Sequence, residues 1–172
     1  MFPPIEELQV LRGAPTAIAT TSVGAGTTTK LDISTSLNQM EIMLNISADF
    51  TKPGVQAGIS VMGGVNITLG SLPTPNAEGV NMLQLNCGGK IGQSVIGPSS
   101  SSVSLRVFLD KSSIEAYAAG GRGVASHRVY PTTEQLQTGL QLVNTGTVSV
   151  SIAGTAWPMA EAKRPSVEEL LK

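Results

Sequence analysis

Asp110 and Glu115 are the two acidic side chains whose spacing could support acid–base chemistry. If residues 111–112 form a two-residue turn, the two carboxylates become diagonal neighbours within about 8 Å on one face of a hairpin. Two carboxyl groups roughly 5 Å apart can cleave a glycosidic bond, one as nucleophile and one as acid. Arg106 and Arg128 share that face and would keep both carboxylates ionised, whereas such catalysis needs one acid with a raised pKa. We therefore interpret the pair as structural rather than catalytic.

The other reactive side chains form no catalytic or metal-binding motif. His127 is the only histidine, and a histidine without a partner is more often a packed residue than a ligand or base. Cys87 is the only cysteine, which excludes an intrachain disulfide and a cysteine-based zinc site, so we expect a buried or loop thiol. The sequence predicts no metal site and no cofactor.

Two N-glycosylation sequons occur, at Asn45-Ile46-Ser47 and Asn66-Ile67-Thr68. They have meaning only in a secretory compartment, and such triplets arise by chance in a chain with 18 serines and 16 threonines. Asn45 and Asn66 are therefore candidate glycosylation sites whose use depends on where the protein is made.

The composition of the 172 residues excludes several classes of protein. Charged residues make up 13% of the chain and the net charge is −1, unlike a basic nucleic-acid binder or an acidic disordered segment. Only 3% of the residues are aromatic, so a glycan-binding surface built on aromatic rings is poorly supplied. No apolar run approaches the roughly 20 residues of a membrane span, and the N-terminus lacks the features of a signal peptide. We expect no nucleic-acid partner and no membrane span.

The elements that must position these side chains are short strands separated by turn signals. Roughly a dozen such segments, rich in Ser, Thr and Val, predict an all-β fold. The spacing favours a two-sheet antiparallel β-sandwich of the concanavalin/lectin-like kind, with a barrel as the alternative. We divide the chain into a linker-like segment at 1–14, a sandwich domain at 15–160 and a tail at 161–172. In the tail, the Ser-x-x-Glu capping box at 166–169 predicts at most a short helical turn.

Alternation along residues 103–131 separates a core face from an outer face. Turns at 111–112 and 119–122 would join three antiparallel strands. On the outer face we expect Arg106 over Tyr117, and Arg128 one diagonal step from Glu115. The predicted core face comprises Leu105, Val107, Leu109, Ile114, Ala116, Ala118, Ala125 and Val129. The predicted outer face comprises Arg106, Phe108, Asp110, Ser113, Glu115, Tyr117, Ser126, Arg128 and Tyr130. A further strand is predicted at Leu8–Arg12.

The same stretch carries a resemblance to a known family. LRVFLDKSSIEAYAAGG, followed by SHRVYP, resembles the signature of the C-terminal β-sandwich of family-32 glycoside hydrolases, the invertases, inulinases, levanases and fructan exohydrolases. Weaker similarity extends to Pro4–Arg12, to Ala57–Ile59 and to Ala156–Met159. The sequence departs from the family pattern at Tyr117, where Phe is usual, and at 119–121, where Asn-Asp-Gly is usual.

The resemblance implies that catalysis belongs to a part that this sequence lacks. In the family it resides in an N-terminal five-bladed propeller, with an Asp nucleophile in a Trp-Met-Asn-Asp-like motif, an Arg-Asp-Pro aspartate and a Glu-Cys acid. None of these three motifs occurs here. We therefore expect a sandwich that hydrolyses nothing on its own.

The resemblance also implies a function as a non-catalytic module that stabilises or assembles with a catalytic propeller. Alternatives are a glycan-binding, lectin-like module and a repurposed structural subunit of a larger complex, and self-association would also cover the outer face. The family context implies a secreted or vacuolar location. The residues expected to be structural or to face a partner are Arg106, Phe108, Asp110, Ser112, Ser113, Glu115, Tyr117, Arg128 and Tyr130.

Overall fold

Twelve strands account for most of the part of the chain that the structure, a computed structural model, describes, namely residues 6–33, 39–72, 81–96 and 101–160. The strands are β1 (Thr16–Val23), β2 (Thr27–Lys30), β3 (Gln39–Ser47), β4 (Gln56–Val61), β5 (Val65–Ser71), β6 (Met82–Cys87), β7 (Lys90–Val95), β8 (Ser102–Asp110), β9 (Ser113–Ala118), β10 (Gly123–Arg128), β11 (Gln141–Asn144) and β12 (Val150–Pro158). A 3-10 helix spans Glu6–Leu11, and a short helix α1 spans Thr133–Gln137.

The strands form two six-stranded antiparallel sheets. The first sheet has the order β1-β12-β3-β8-β9-β10, and the second has the order β2-β11-β4-β5-β6-β7. The predicted all-β sandwich is confirmed. Because β12 inserts between β1 and β3, strands that are distant in sequence become neighbours at the centre of the first sheet.

The core lies between the two sheets and consists of alternate residues of each strand. Its members from the central strands include Ile42, Leu44, Ile46, Ile67, Leu69, Leu83, Leu85, Leu105 and Leu109. Burying a side chain of this size contributes about 1.5–3 kcal/mol, so the core is the main source of stability. The core face predicted for residues 103–131 is confirmed, except that Val129 is only partly buried at its edge.

The predicted hairpins have the predicted register. Asp110 pairs with Ser113 and Arg106 pairs with Tyr117 in the first hairpin, whereas Ala118 pairs with Gly123 in the second. Lys111 adopts a left-handed backbone with φ 53°, the conformation that a tight hairpin turn requires. Local turn chemistry and alternation therefore set this part of the first sheet.

The predicted strand at Leu8–Arg12 is wrong, because Glu6–Leu11 is a 3-10 helix. With three residues per turn, Leu8 and Leu11 face the same side, and both line a groove at the end of the first sheet. A strand would instead have put Val10 beside Leu8, but Val10 is 83% exposed.

The short helix α1 was not predicted. Its capping box joins Thr132 and Gln135: the Gln135 backbone N–H donates to the Thr132 hydroxyl, and the Thr132 N–H donates to the Gln135 side chain. The helical turn predicted at 166–169 lies outside the described residues, and the division at 1–14, 15–160 and 161–172 stays a prediction.

Candidate functional site

Strand order brings side chains from four strands into rows on the outer face of the first sheet. Trp157 of β12, Glu41 of β3, Phe108 of β8 and Glu115 of β9 are successive cross-strand neighbours. In the next row, Arg106 lies between Met43 and Tyr117. We call the outer-face residues of β8 and β9 the motif face: Arg106, Phe108, Asp110, Ser113, Glu115 and Tyr117.

A buried carboxylate held by two arginines lies beside the motif face, on the neighbouring strand β3. Glu41 is 0% exposed and accepts two hydrogen bonds from Arg12, from Nε at 2.7 Å and from Nη2 at 2.6 Å. Arg106 Nε donates a third, to Glu41 Oε1 at 2.7 Å. We call Arg12, Glu41 and Arg106 the ion cluster. It joins the segment entering the sandwich to strands β3 and β8.

The arginines determine the charge state of Glu41. Burial by itself would raise the pKa of this carboxyl, but the hydrogen bonds and charges of Arg12 and Arg106 outweigh burial and lower the pKa below its ordinary value. Hydrogen bonding to Glu41 likewise raises the pKa of Arg12. The two arginines thus stabilise the carboxylate form of Glu41.

Aromatic rings flank the ion cluster on both sides, because each of its two arginines lies over one ring. The Arg12 guanidinium lies 4.3 Å from the Trp157 ring centroid, and that of Arg106 lies 4.8 Å from the Phe108 centroid. Phe108 then meets Tyr117 edge to face, with centroids 6.0 Å apart. These contacts fix the orientation of the aromatic side chains on the motif face.

Two contacts expected from the sequence are not formed. Arg106 is opposite Tyr117 in register, but its guanidinium binds Glu41 and stacks on Phe108 instead. Arg128 forms no ion pair with Glu115 within the described ranges, and its guanidinium lies 5.9 Å from the ring centroid of the exposed Tyr130. A buried carboxylate attracts a guanidinium more strongly than a partly exposed phenol does, which explains the first difference.

Glu115 is instead held by a neutral donor. The Tyr117 hydroxyl donates to Glu115 Oε2 at 2.8 Å. Partial burial, and then the hydrogen bond and negative charge of Glu115, raise the pKa of Tyr117. Asp110 similarly accepts a hydrogen bond from the Gln39 side-chain amide at 3.0 Å. Both carboxylates are exposed, whereas a glycosidase acid is held in an apolar pocket, so the geometry gives no support to a catalytic pair.

A groove of about 410 Å³ runs beside the motif face. Apolar side chains of the 3-10 helix, β3 and β8 form much of its lining, and the two carboxylates lie along it. Its lining residues include Leu8, Leu11, Met40, Phe108, Asp110, Ser113, Glu115, Tyr117 and Met159. A lining that combines apolar and acidic side chains is more typical of a protein–protein interface than of a catalytic site.

The remaining predicted residues lie away from this groove. Ser112 is in the turn between β8 and β9, and Arg128 and Tyr130 are at and beyond the end of β10. Asn45 and Asn66 are exposed on β3 and β5, the first accepting a hydrogen bond from Ser102 Oγ at 2.5 Å.

Other chemistry-bearing groups are packed rather than assembled into a site. Cys87 is buried, and burial raises the pKa of its thiol to about 11. His127 is half-buried, as its inward position on β10 predicts. In the portion of the chain that the structure describes, no cluster of three metal-ligating side chains occurs. No helix there is long and apolar enough to cross a membrane.

Sequence reasoning missed Glu41, Arg12 and Trp157 as parts of this surface. The signal for Glu41 was present: an acid interrupts the apolar stretch of β3 in a chain with few charges. Its partners could not be identified because they lie 29 and 65 positions away.

A family model resolves what this sandwich is. The model described as glycosyl hydrolases family 32 C terminal matches residues 7–158. The chain belongs to this family. The ion cluster, the motif face and both hairpins all fall within the matched family-32 domain.

Solved structures show the same fold. A fructan 1-exohydrolase IIa from Cichorium intybus shares 19% identity with a TM-score of 0.72, over 93% of this chain and 38% of that one. A fructosyltransferase from A. japonicus shares 14% identity with a TM-score of 0.63, over 90% and 28%. The chain thus spans about 38% of the exohydrolase it matches. No curated protein sequence gives a significant match.

Proposed function

We propose that this family-32 domain is a non-catalytic module that packs against a catalytic propeller through the motif face. The observation that carries the proposal is the groove of about 410 Å³ beside the motif face, which is lined by both apolar and acidic side chains. Leu8, Met40 and Phe108 supply apolar contact area, and Asp110 and Glu115 supply polar contacts along it. Interfaces between domains have this composition.

The ion cluster supports the proposal by making the surface rigid before any partner binds. Glu41 is fully buried under the outer face, and the two arginines it binds stack on Trp157 and Phe108. A surface whose side chains are already fixed loses less conformational entropy on association. The cluster therefore acts by orienting the contact residues, not by chemistry.

Mixing this chain with a separately produced propeller domain of a family-32 enzyme tests the proposal. We expect a 1:1 complex by size-exclusion chromatography with light scattering. Glu115→Lys, a charge reversal at the groove, should weaken it about tenfold or more. Glu134→Lys is the matched control, because it makes the same change of charge and Glu134 is exposed on α1, away from the groove lining. Equal binding by both variants would show that the motif face is not the contact.

The same experiment separates the competing functions. A dimer of this chain that Glu115→Lys dissociates would indicate that self-association covers the motif face. If the chain is folded and monomeric but binds none of the propeller domains tested, the proposal is contradicted.

A further inference from the structure

A second groove, of about 540 Å³, lies on the outer face of the second sheet. It crosses three neighbouring strands, with Gln56 on β4, Asn66 and Thr68 on β5, and Asn86 on β6. These residues alternate with core residues such as Ile67 and Leu85, so their side chains point away from the core. Its volume is in the range of small-molecule binding sites, about 300–1,000 Å³.

The described residues that line this groove are mostly polar, and none of them is an acid, a lysine or an arginine. Its lining residues are Gln56, Gly64, Val65, Asn66, Thr68, Asn86, Gly88, Gly89, His127 and Thr145. Amide and hydroxyl groups each donate and accept hydrogen bonds, which matches the hydroxyl groups of a sugar. Among these described residues a charged ligand would find no carboxylate, lysine or arginine to pair with, and an apolar ligand would leave the amides unpaired.

One end of the groove is closed by His127, which reaches it from β10 of the first sheet. The ring packs so closely on Gly88 that a Cβ at that position would lie 2.6 Å from His127 Cδ2. Its Nδ1 atom is buried and has no hydrogen-bond partner among the described residues. The His127 ring thus borders the groove, and the side-chain amides of the exposed Asn66 and the half-buried Gln56 and Asn86 line it.

We propose that this groove binds a neutral carbohydrate, one or two sugar units of an oligosaccharide. Its uncharged amide and hydroxyl lining favours a polyhydroxylated ligand over an anion, a cation or an apolar one. Among the described residues no Phe, Tyr or Trp lines it, so binding is weak. The site is on the opposite sheet from the motif face, and it neither needs nor excludes a propeller partner.

Affinity electrophoresis in native gels containing inulin, levan or dextran tests this, since it detects weak binding to neutral polysaccharides. The protein is produced in a bacterium without N-glycosylation, so that Asn66 is free. At least one polysaccharide should retard the wild-type chain. Asn66→Ala and Asn86→Ala should each weaken the apparent affinity about three- to tenfold, the effect of losing one hydrogen bond.

Asn45→Ala is the matched control, because Asn45 is also an exposed sequon asparagine in a strand, but on the first sheet. It should be retarded as the wild type is. Thermal unfolding shows whether each variant is folded, and Gln56→Ala replaces any variant that is not. No retardation in any gel, or equal retardation of the groove variants and the wild type, would overturn the proposal. A further gel contains a sulfated polysaccharide. If this gel alone retards the chain and salt abolishes the retardation, binding is electrostatic and the proposal is wrong.

Discussion

Replacing Glu41 by Gln should strongly destabilise the sandwich. The side chain is 0% exposed and accepts three hydrogen bonds from two arginines. Glutamine has almost the same shape, so the change removes the charge without creating a cavity. The side chains of Arg12 and Arg106, only 19% and 17% exposed, would lose their counter-charge.

The size of the effect follows from these burials. Removing one partner of a fully buried ion pair costs about 3–5 kcal/mol, because the remaining charge is desolvated and unpaired. The glutamine carbonyl still accepts one hydrogen bond, and the arginines keep some contact with water. We therefore expect a loss of about 3 kcal/mol in the free energy of unfolding.

Urea unfolding followed by tryptophan fluorescence measures this loss, since Trp157 lies against Arg12. The control is Glu115→Gln, an exposed carboxylate that should cost less than about 1 kcal/mol. A loss below about 1 kcal/mol for Glu41→Gln would refute the reasoning, because it would mean that water replaces the missing charge. Glu41→Leu combined with Arg12→Met and Arg106→Met should recover most of the stability, since no charge is then left unpaired.

The pH dependence of stability is a second test of the ion cluster. The direction of the effect follows from the lowered pKa of Glu41. The pKa of Glu41 is lower in the folded protein than its ordinary value of 4.5. A carboxyl of this kind contributes its stability above the unfolded pKa and loses it as the pH falls through the folded pKa. Wild-type stability should therefore decline below about pH 4.5, and Glu41→Gln should decline less steeply. Parallel curves for the two proteins would contradict the assignment.

Three further predictions concern other parts of the molecule. The purified chain should release no fructose from sucrose, inulin or levan in a reducing-sugar assay, because the three catalytic motifs are absent from its sequence; release that Glu115→Gln abolishes would contradict this. Cys87 is buried and its thiol has a pKa of about 11, so it should react with iodoacetamide far more slowly in the native protein than in urea. Equal rates would show that the thiol is not buried in the native protein. Gly88→Ala should be about 1–3 kcal/mol less stable than Gly89→Ala in urea: both glycines have positive φ, but only the Cβ at Gly88 meets His127. Equal losses of stability in the two variants would show that the His127 ring moves aside without an energetic cost.

The sequence by itself determined the features that depend on near neighbours. Alternation and two turns predicted the β8–β9–β10 register, and the same alternation identified the core face of these strands. Pairing across a two-residue turn leaves little choice, since a slip by one residue would expose every core side chain. The family resemblance of the same stretch was likewise carried by consecutive residues and is confirmed by the match over 7–158.

Only the tertiary structure decided which distant charges meet. Alternation puts Glu41 on the outer side of β3, but the order β12-β3-β8 places it between Trp157 and Phe108 and within reach of Arg12 and Arg106. Because β3 is next to β8 in this order, Arg106 binds Glu41 and does not stack on Tyr117. Local patterns specify which face a side chain occupies, whereas the neighbours on that face depend on how strands far apart in the chain are ordered. Hydrophobic burial sets that order, and the charges must then find partners within it.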